Sequence, residues 1–386
     1  MSGLNISFFG SSVVSAYWNG AATYYRGLVR ALHDRGHRVT FYEPDAYERQ
    51  QHRDIPDPPW ARVVVYENNE AAVLKAVQQA RASDLVIKCS GVGVFDDLLE
   101  RAVLELQTAS RLVAFLDVDA PATLDRIQSD PRDPFNRLIP QYNFILTYGG
   151  GDPVVNTYRK AGARECVPIY NALDPHTHFP AEPDSRFTGD LGFLGNRMPD
   201  RETRVEEFFL KPAALLPKHR FLLGGNGWQD KRMPANVNYL GHVYTQEHNA
   251  FNSTPRTVLN VNRSSMARYG FSPPTRVFEA AGAGACLITD AWEGIEMFLE
   301  PGREVLVAGS GEEVAEHLRR LSPDESRRIG NAALQRVLSE HTYAHRAGQF
   351  EKVVAGKWDA VRPRSGETWT EQSASAAVAR EIVRNP

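Results

Sequence analysis

An arginine and a glutamate, Arg276 and Glu279, stand three residues apart in a segment with helical periodicity. At this spacing the two side chains share one face of the helix. Ser272 is a good N-cap and Pro273 suits the first helical position, so the sequence predicts that the helix begins there. The free N–H groups of such a first turn attract anions, including diphosphates. The segment predicts a site for the phosphates and ribose of a sugar nucleotide; the alternative is a surface pair on a packed helix.

Two further acids, Asp117 and Asp119, follow an apolar run that is typical of a buried strand. Ligands of parallel sheets bind beyond the carboxyl ends of strands, so both acids are expected at a ligand cleft. Asp119 is placed to act there as a general base or to hydrogen-bond a substrate. Capping of the following turn is the alternative. An Asp-x-Asp pair is a weak indication of a metal ion, and we predict no metal site.

The elements that must position these residues alternate between strands and helices. Residues 4–9 predict a strand, and a loop leads through Gly20 to a helix with an apolar stripe at 21–35 and a strand at 36–42. The same order repeats through both halves of the chain, which indicates parallel, doubly wound sheets. The turn-rich stretch 168–180 separates the halves. The predicted fold class is therefore α/β, with two tandem Rossmann-like domains facing each other across a cleft.

Four segments follow from this pattern. The first domain is predicted at 1–172 and the second at 173–340. A final helix at 341–360 can cross back to the first domain, and a polar tail occupies 361–386.

The loop after the first strand carries the aromatic residues that are best placed to meet an acceptor. Tyr17 and Trp18 can stack on a sugar or an aglycone, and Asn19 and Gly20 complete the loop. We assign all four to the acceptor side. Their alternative role is to form the rim or core of the domain.

Composition excludes several classes of protein. The chain has 386 residues, of which 42% are hydrophobic and 24% charged, and its net charge of −3 argues against a nucleic-acid partner. Cys89, Cys166 and Cys286 are far apart, which indicates a reducing cytoplasm instead of a disulfide framework or metal cluster. No apolar run reaches 18 residues, so no membrane span is predicted. The oligomeric state is left open.

Several motifs together resemble those of GT-B glycosyltransferases, and more narrowly the group that includes CgeB-type spore-maturation proteins. They are the hinge-like Tyr-Asn-Ala-Leu-Asp-Pro-His at 170–176, Arg-Val-Phe-Glu-Ala-Ala-Gly-Ala-Gly at 276–284, the segments 19–28 and 36–41, and Asp-Val-Asp-Ala-Pro at 117–121. The resemblance covers roughly residues 4–358. It implies a cytoplasmic enzyme without a cofactor, which uses a nucleoside-diphosphate sugar as co-substrate and a small-molecule or glycan acceptor.

The resemblance also implies roles for residues of the second domain. Glu279 would accept hydrogen bonds from the ribose, and Arg276 with the turn from Ser272 to Thr275 would neutralise the diphosphate. Arg276 and Asp119 are the implied catalytic residues, Asp119 as the general base for an acceptor hydroxyl, and Asp117 would lie with it on the acceptor side. The other donor-side candidates lie after predicted strands of the second domain: Gly195, Asn196, Arg197, Gly224 and His242.

One position departs from the pattern of the family-4 relatives. Phe271 stands eight residues before Glu279, where those relatives have a second glutamate. Its presence leaves the stereochemical outcome open. It also keeps a catalytically silent carbohydrate-binding or assembly protein as an alternative to glycosyl transfer. A sugar-nucleotide epimerase of the same fold is a second alternative.

Overall fold

A computed structural model describes residues 3–361 of the chain. The predicted polar tail at 361–386 lies outside these residues except for its first position. Within them the chain forms two all-parallel sheets of seven and six strands, each covered by helices on both faces. None of the helices in this range is long and apolar enough to cross a membrane.

The first domain is built on a sheet with the strand order β3-β2-β1-β4-β5-β6-β7. Its strands are β1 (Asn5–Phe9), β2 (Arg38–Pro44), β3 (Arg62–Tyr66), β4 (Leu85–Cys89), β5 (Leu112–Asp117), β6 (Phe144–Thr147) and β7 (Cys166–Pro168). Its helices are α1 (Ala22–Asp34), α2 (Glu70–Gln79), α3 (Asp96–Ala102), α4 (Ala120–Ser129), α5 (Phe135–Leu138) and α6 (Gly151–Lys160). Because the order reverses between β1 and β4, loops at their carboxyl ends open a crevice there.

The second domain repeats this design with the strand order β10-β9-β8-β11-β12-β13. Its strands are β8 (Leu191–Leu194), β9 (Phe221–Gly224), β10 (Val237–Gly241), β11 (Thr257–Asn260), β12 (Leu287–Asp290) and β13 (Leu306–Ala308). Its helices are α7 (Pro199–Val205), α8 (Lys211–Leu215), α9 (His248–Ser253), α10 (Ser264–Tyr269), α11 (Thr275–Gly282), α12 (Gly311–Arg320) and α13 (Pro323–Glu340). The described chain ends in α14 (Tyr343–Val361).

The helical segment at 199–215 is divided in the structure. A wider π turn, Glu206–Leu210, separates α7 from α8. Pro212 gives the physical reason, because it has no N–H to donate and its ring would clash with the carbonyl four residues back in a regular α-helix.

The last helix crosses back to the first domain. Tyr343, Ala347, Phe350 and Val354 of α14 are buried in the core that lies between α1 and the first sheet. A salt bridge from Glu351 to Arg35 lies at the edge of the same contact. The two domains are therefore joined by two chain crossings, near residues 170–173 and 341–343.

The contact between α1 and α14 requires a glycine at position 27. A Cβ built on Gly27 would lie 2.1 Å from the Tyr343 ring. We therefore expect Gly27→Ala to lower the free energy of unfolding by about 1–3 kcal/mol, the usual cost of overpacking. Gly348→Ala, in α14 itself, meets no atom within 4 Å. It should raise stability by about 0.5–1 kcal/mol through helix propensity. Thermal unfolding midpoints of the two variants would contradict this if they moved in the same direction.

Candidate functional site

A cleft of about 1000 Å³ lies between the carboxyl ends of the two sheets. Its first-domain wall comes from the loops after β1, β2, β4 and β5 and includes Tyr17, Trp18, Arg49, Gly91 and Asp119. Its second-domain wall comes from the loops after β8, β9, β10 and β11 and the start of α11, and includes Asn196, Arg201, His242, Asn262 and Arg276. The structure thus brings Asp119, the aromatic loop and several of the predicted donor residues to one cavity.

Two arginines form the electropositive part of the second-domain wall. Arg201 donates one hydrogen bond of 2.8 Å to the Asn196 carbonyl oxygen, and its buried Nε has no partner among the described residues. Burial lowers the pKa of Arg201, and the positive charge of Arg276 lowers it further. No carboxylate lies within 4 Å of Arg201 in the described part of the chain. Two neighbouring cations with so little compensation are suited to an anion.

Arg276 lies on the first turn of α11, and Glu279 lies behind it. The Arg276 Nε and a Glu279 carboxylate oxygen are 4.0 Å apart, too far for a hydrogen bond. Burial raises the pKa of Glu279, but the charges of His178 and Arg276 outweigh burial, so the pKa is lowered and the group is a carboxylate. Burial lowers the pKa of the adjacent His248 to about 4, which leaves it neutral near pH 7. Glu279 is therefore ionised and holds the Arg276 charge in place.

The helix carrying these residues begins later than the sequence predicts. It starts at Thr275 with Pro274 at the N-cap position, and the Ser272 hydroxyl donates to the Gly270 carbonyl oxygen instead of capping. The residue before a proline is disfavoured in the α conformation, so Pro273 cannot open a helix that continues through Pro274. The prediction that Ser272 caps the helix is thus wrong. Thr275, the first residue of α11, lines the cleft.

Arg197 is not free to play the role that was predicted for it. Its guanidinium makes ion pairs of 2.8 Å with Glu202 and 2.9 Å with Asp230. These two carboxylates already neutralise Arg197, although the residue lines the cleft. Arg201, four residues later on α7, presents the less compensated charge; the sequence signal for it was only its position after the same strand.

The other predicted donor residues fall into two groups. Asn196 and His242 line the cleft, and His242 is exposed beside Tyr244. Gly195 and Gly224 do not line it. A Cβ on Gly195 would lie 2.9 Å from the Arg201 guanidinium, so this glycine makes room for Arg201. The donor-side assignment of Gly224 is revised, because it ends β9 and packs on Leu194.

Asp119 stands on the first-domain wall, between β5 and α4. It occupies the N-cap position of α4, yet its side chain makes no capping hydrogen bond. Burial raises the pKa of Asp119 above that of an ordinary aspartate, and the positive charge of Arg263 opposes this shift only in part. Asp119 is the one carboxylate among the described residues that line the cleft.

Asp117 lies beneath the cleft and does not reach it. Its carboxylate is fully buried and accepts hydrogen bonds from Ser90 Oγ at 2.8 Å, Thr123 Oγ1 at 3.0 Å, the Asp119 N–H at 3.0 Å and the Tyr158 hydroxyl. The prediction of direct contact with an acceptor is therefore wrong for Asp117. The alternating geometry of an extended strand turns it inward, and its contribution is to hold the Asp119 backbone.

The aromatic loop reaches the cleft as predicted, with different roles for its members. Trp18 is 82% exposed at the rim, and Tyr17 stacks on His52 with ring centroids 4.1 Å apart. The Asn19 side-chain amide donates hydrogen bonds within the loop, to the Ser12 and Ser15 carbonyl oxygens at 2.8 and 2.9 Å. Asn19 thus shapes the loop, whereas Tyr17, Trp18 and Gly20 are available to a ligand.

Phe271 is part of the junction between the domains. Its backbone has a φ of 45°, and its carbonyl oxygen accepts a 2.8 Å hydrogen bond from the N–H of Gly150 in the first domain. Its ring is so close to Gly151 and Gly294 that a Cβ on either would lie within 2.6 Å of it. Phe271 therefore packs the two domains together and is not among the residues lining the cleft.

Two asparagines that the sequence did not single out also line the cleft. Asn171 Oδ1 and Asn262 Nδ2 are buried and have no hydrogen-bond partner within residues 3–361. Buried polar atoms are nearly always paired in proteins, so an acceptor and a donor left without partners here fit polar groups of a ligand.

Comparisons with known proteins agree with this geometry. Residues 201–352 match the family described as "Glycosyl transferase-like". Among curated proteins, no sequence matches the chain. The matched range includes the arginines of the second-domain wall and all of α11.

Solved structures share the whole architecture. Anabaena HepE in complex with UDP and glucose superimposes with a TM-score of 0.64 at 14% identity, covering 92% of this chain and 100% of HepE. Sucrose-phosphate synthase from Thermosynechococcus elongatus superimposes with a TM-score of 0.65 at 12% identity, covering 92% of this chain and 100% of the synthase. The lipopolysaccharide outer core galactosyltransferase WaaB superimposes with a TM-score of 0.58 at 13% identity, covering 92% of this chain and 100% of WaaB. The predicted GT-B fold is confirmed, whereas the narrower likeness to CgeB-type proteins stays a prediction.

Proposed function

From the glycosyl transferase-like domain at residues 201–352 and the GT-B fold of the chain, we propose that the protein is a glycosyltransferase. It moves a sugar from a nucleoside-diphosphate sugar to a hydroxyl group of a small-molecule or glycan acceptor. One observation carries the proposal: the cleft has the two neighbouring cations Arg201 and Arg276 on one wall and the single carboxylate Asp119 on the other.

The donor lies against the second domain. HepE is described in complexes with UDP and with UDP-glucose, so UDP-glucose is the first donor to test. Arg201, Arg276 and the N–H groups at the start of α11 hold the diphosphate and stabilise the charge that grows on it as it leaves. Because these protein charges do the work of a cation, we propose that the transfer needs no metal ion.

The nucleoside extends from the diphosphate along the same wall. Glu279 is ionised and suited to accept hydrogen bonds from the ribose hydroxyls, but it does not line the cleft, so the ribose would reach it only by entering beside the Arg276 side chain. The base lies toward the exposed His242. Asn262, with its unpartnered Nδ2, is available to hydroxyl oxygens of the sugar.

The acceptor lies against the first domain, with its reacting hydroxyl at Asp119. In the transfer the bond between the sugar C1 and the diphosphate oxygen breaks, and a bond from C1 to the acceptor oxygen forms. Asp119 takes the proton of the acceptor hydroxyl, and the nucleoside diphosphate leaves as the anion. The raised pKa of Asp119, caused by burial, makes it a better base than an exposed aspartate. The domain contacts around Phe271 exclude water from the donor.

The proposal is tested by binding of UDP and by turnover in the presence of EDTA. We expect Arg201→Met to weaken UDP binding by about 10- to 100-fold, the worth of charge-assisted hydrogen bonds. Arg197→Met, whose charge is already paired with Glu202 and Asp230, should change UDP affinity by less than about threefold. Isothermal titration calorimetry measures both.

Three results would contradict the proposal. The first is a failure of the protein to bind UDP more tightly than free phosphate. The second is a larger loss of UDP affinity in Arg197→Met than in Arg201→Met. The third is conversion of UDP-glucose to an epimer in the absence of acceptor. The first is expected of a silent scaffold, and the last of an epimerase.

A further inference from the structure

A third arginine, Arg49, reaches the cleft from the first domain. It follows β2 in a turn where Tyr47 and Glu48 both have positive φ, 55° and 58°. Its side chain is only 6% exposed and lines the acceptor half of the cavity. The guanidinium lies over the Tyr47 ring, 5.0 Å from its centroid. The sequence did not single it out.

The hydrogen bonds of Arg49 leave part of its guanidinium unused. Nη1 donates to the carbonyl oxygens of Ser11 at 3.2 Å and Val92 at 3.3 Å. Nη2 has one long contact, 3.5 Å to the Trp18 carbonyl oxygen, and Nε has no partner among the described residues. Carbonyl oxygens orient a guanidinium but do not neutralise it.

No carboxylate within residues 3–361 forms an ion pair with Arg49. The nearby Glu43 is committed elsewhere: its oxygens accept from Ser12 Oγ at 2.9 Å, the Val13 N–H at 2.7 Å and Gln50 Nε2 at 2.6 Å. Burial lowers the pKa of Arg49, and Tyr47 and Glu43 offset this only in part. An uncompensated buried charge is costly, so an anionic ligand would recover the lost stabilisation.

The guanidinium lies on the same wall of the cleft as Asp119. Arg49 bonds carbonyl groups just beyond β1 and β4, and Asp119 follows β5, the next strand after β4. Both residues line the one cavity, so a ligand with its reacting hydroxyl at Asp119 would lie on the side of the cleft that Arg49 lines.

We propose that Arg49 binds an anionic group, a carboxylate or a phosphate, on the acceptor. The identification of this ligand as the acceptor rests on the proposed function, whereas the binding of an anion at Arg49 does not. The acceptor is then an acidic sugar or another hydroxyl compound that carries an acid group.

The test is calorimetric binding of three matched probes to the full chain without donor: D-glucose, D-glucuronate and D-glucose 6-phosphate. We expect one of the two acids to bind at least about tenfold more tightly than glucose, and the pair to show whether a carboxylate or a phosphate is preferred. Arg49→Gln should abolish the preference, and Arg49→Lys should retain part of it. Arg53→Gln is the matched control, since Arg53 is on the same segment, pairs with Asp57 and does not line the cleft.

Equal affinity of the wild type for all three probes would overturn the inference. An undiminished preference in Arg49→Gln would overturn it as well. The thermal unfolding midpoint of every variant reports whether the fold is intact, and UDP affinity is measured in parallel. A chain that discriminates the acids but does not bind UDP would refute the proposed function and leave the anion site standing.

Discussion

Arg276→Met is expected to lower kcat/KM for glycosyl transfer by about 100- to 1000-fold, as for other groups that stabilise a developing anion in a closed site. Arg276 lies at the N-terminal turn of α11 and faces Arg201 across the place assigned to the diphosphate. Its loss removes a charge whose interaction strengthens as the leaving group forms. Steady-state rates with UDP-glucose, or with the best donor of a nucleotide-sugar panel, measure the effect.

Two observations separate this effect from a loss of structure. The thermal unfolding midpoint of Arg276→Met should change little, because the substitution removes both the repulsion from Arg201 and the attraction of Glu279. Arg303→Met is the control, because Arg303 is an exposed arginine of the same domain paired with Glu300. It should keep its rate within about twofold. A rate of Arg276→Met close to that of the wild type would refute the assignment of the diphosphate.

Asp119→Asn is expected to lower kcat by about 100- to 10,000-fold, the range of general-base catalysis. UDP binding should be unchanged, since Asp119 lies on the opposite wall of the cleft. The asparagine keeps the size of the side chain but cannot take a proton. A kcat of Asp119→Asn equal to that of the wild type, or a loss of UDP affinity that parallels the loss of kcat, would show that Asp119 is not the base.

The pH dependence of wild-type activity gives an independent check of Asp119 as the base. The base must be unprotonated, so activity falls as the pH drops through the pKa of Asp119. Burial raises that pKa, which moves the acidic limb above the ordinary aspartate value of about 3.9. Arg263 lowers the pKa, so Arg263→Met should shift the limb to still higher pH. A limb that stays in place in Arg263→Met would contradict the assignment.

Much of the architecture was predictable because it is written in local patterns. Apolar runs of four to six residues separated by helical stripes predict parallel strands and crossover helices, and the structure shows both sheets. Local signals also mark helix starts, since Ser310 and Ser322 cap α12 and α13 through their side chains. The start of α11 was wrong because a second proline overrides a good capping residue.

The candidate site was predictable in outline only. Arg276 and Asp119 were identified because loops after parallel strands must meet at one edge of a sheet. Asp117 was wrongly placed at the surface because two of the hydroxyl groups that bond its carboxylate, those of Ser90 and Tyr158, come from segments 27 and 41 residues away. No spacing rule links those segments.

The sequence by itself determined the α/β class, the two domains, and the elements that carry the site. Only the tertiary structure decided which charges are left for a ligand. Arg197 and Arg201 are four residues apart and chemically identical, yet Arg197 is neutralised by Glu202 and Asp230, whereas Arg201 faces Arg276. Arg49 likewise became a candidate only when its neighbours proved to be carbonyl groups. Periodicity and turn propensity act over a few residues, but the compensation of a charge depends on every group that folding brings within a few ångströms of it.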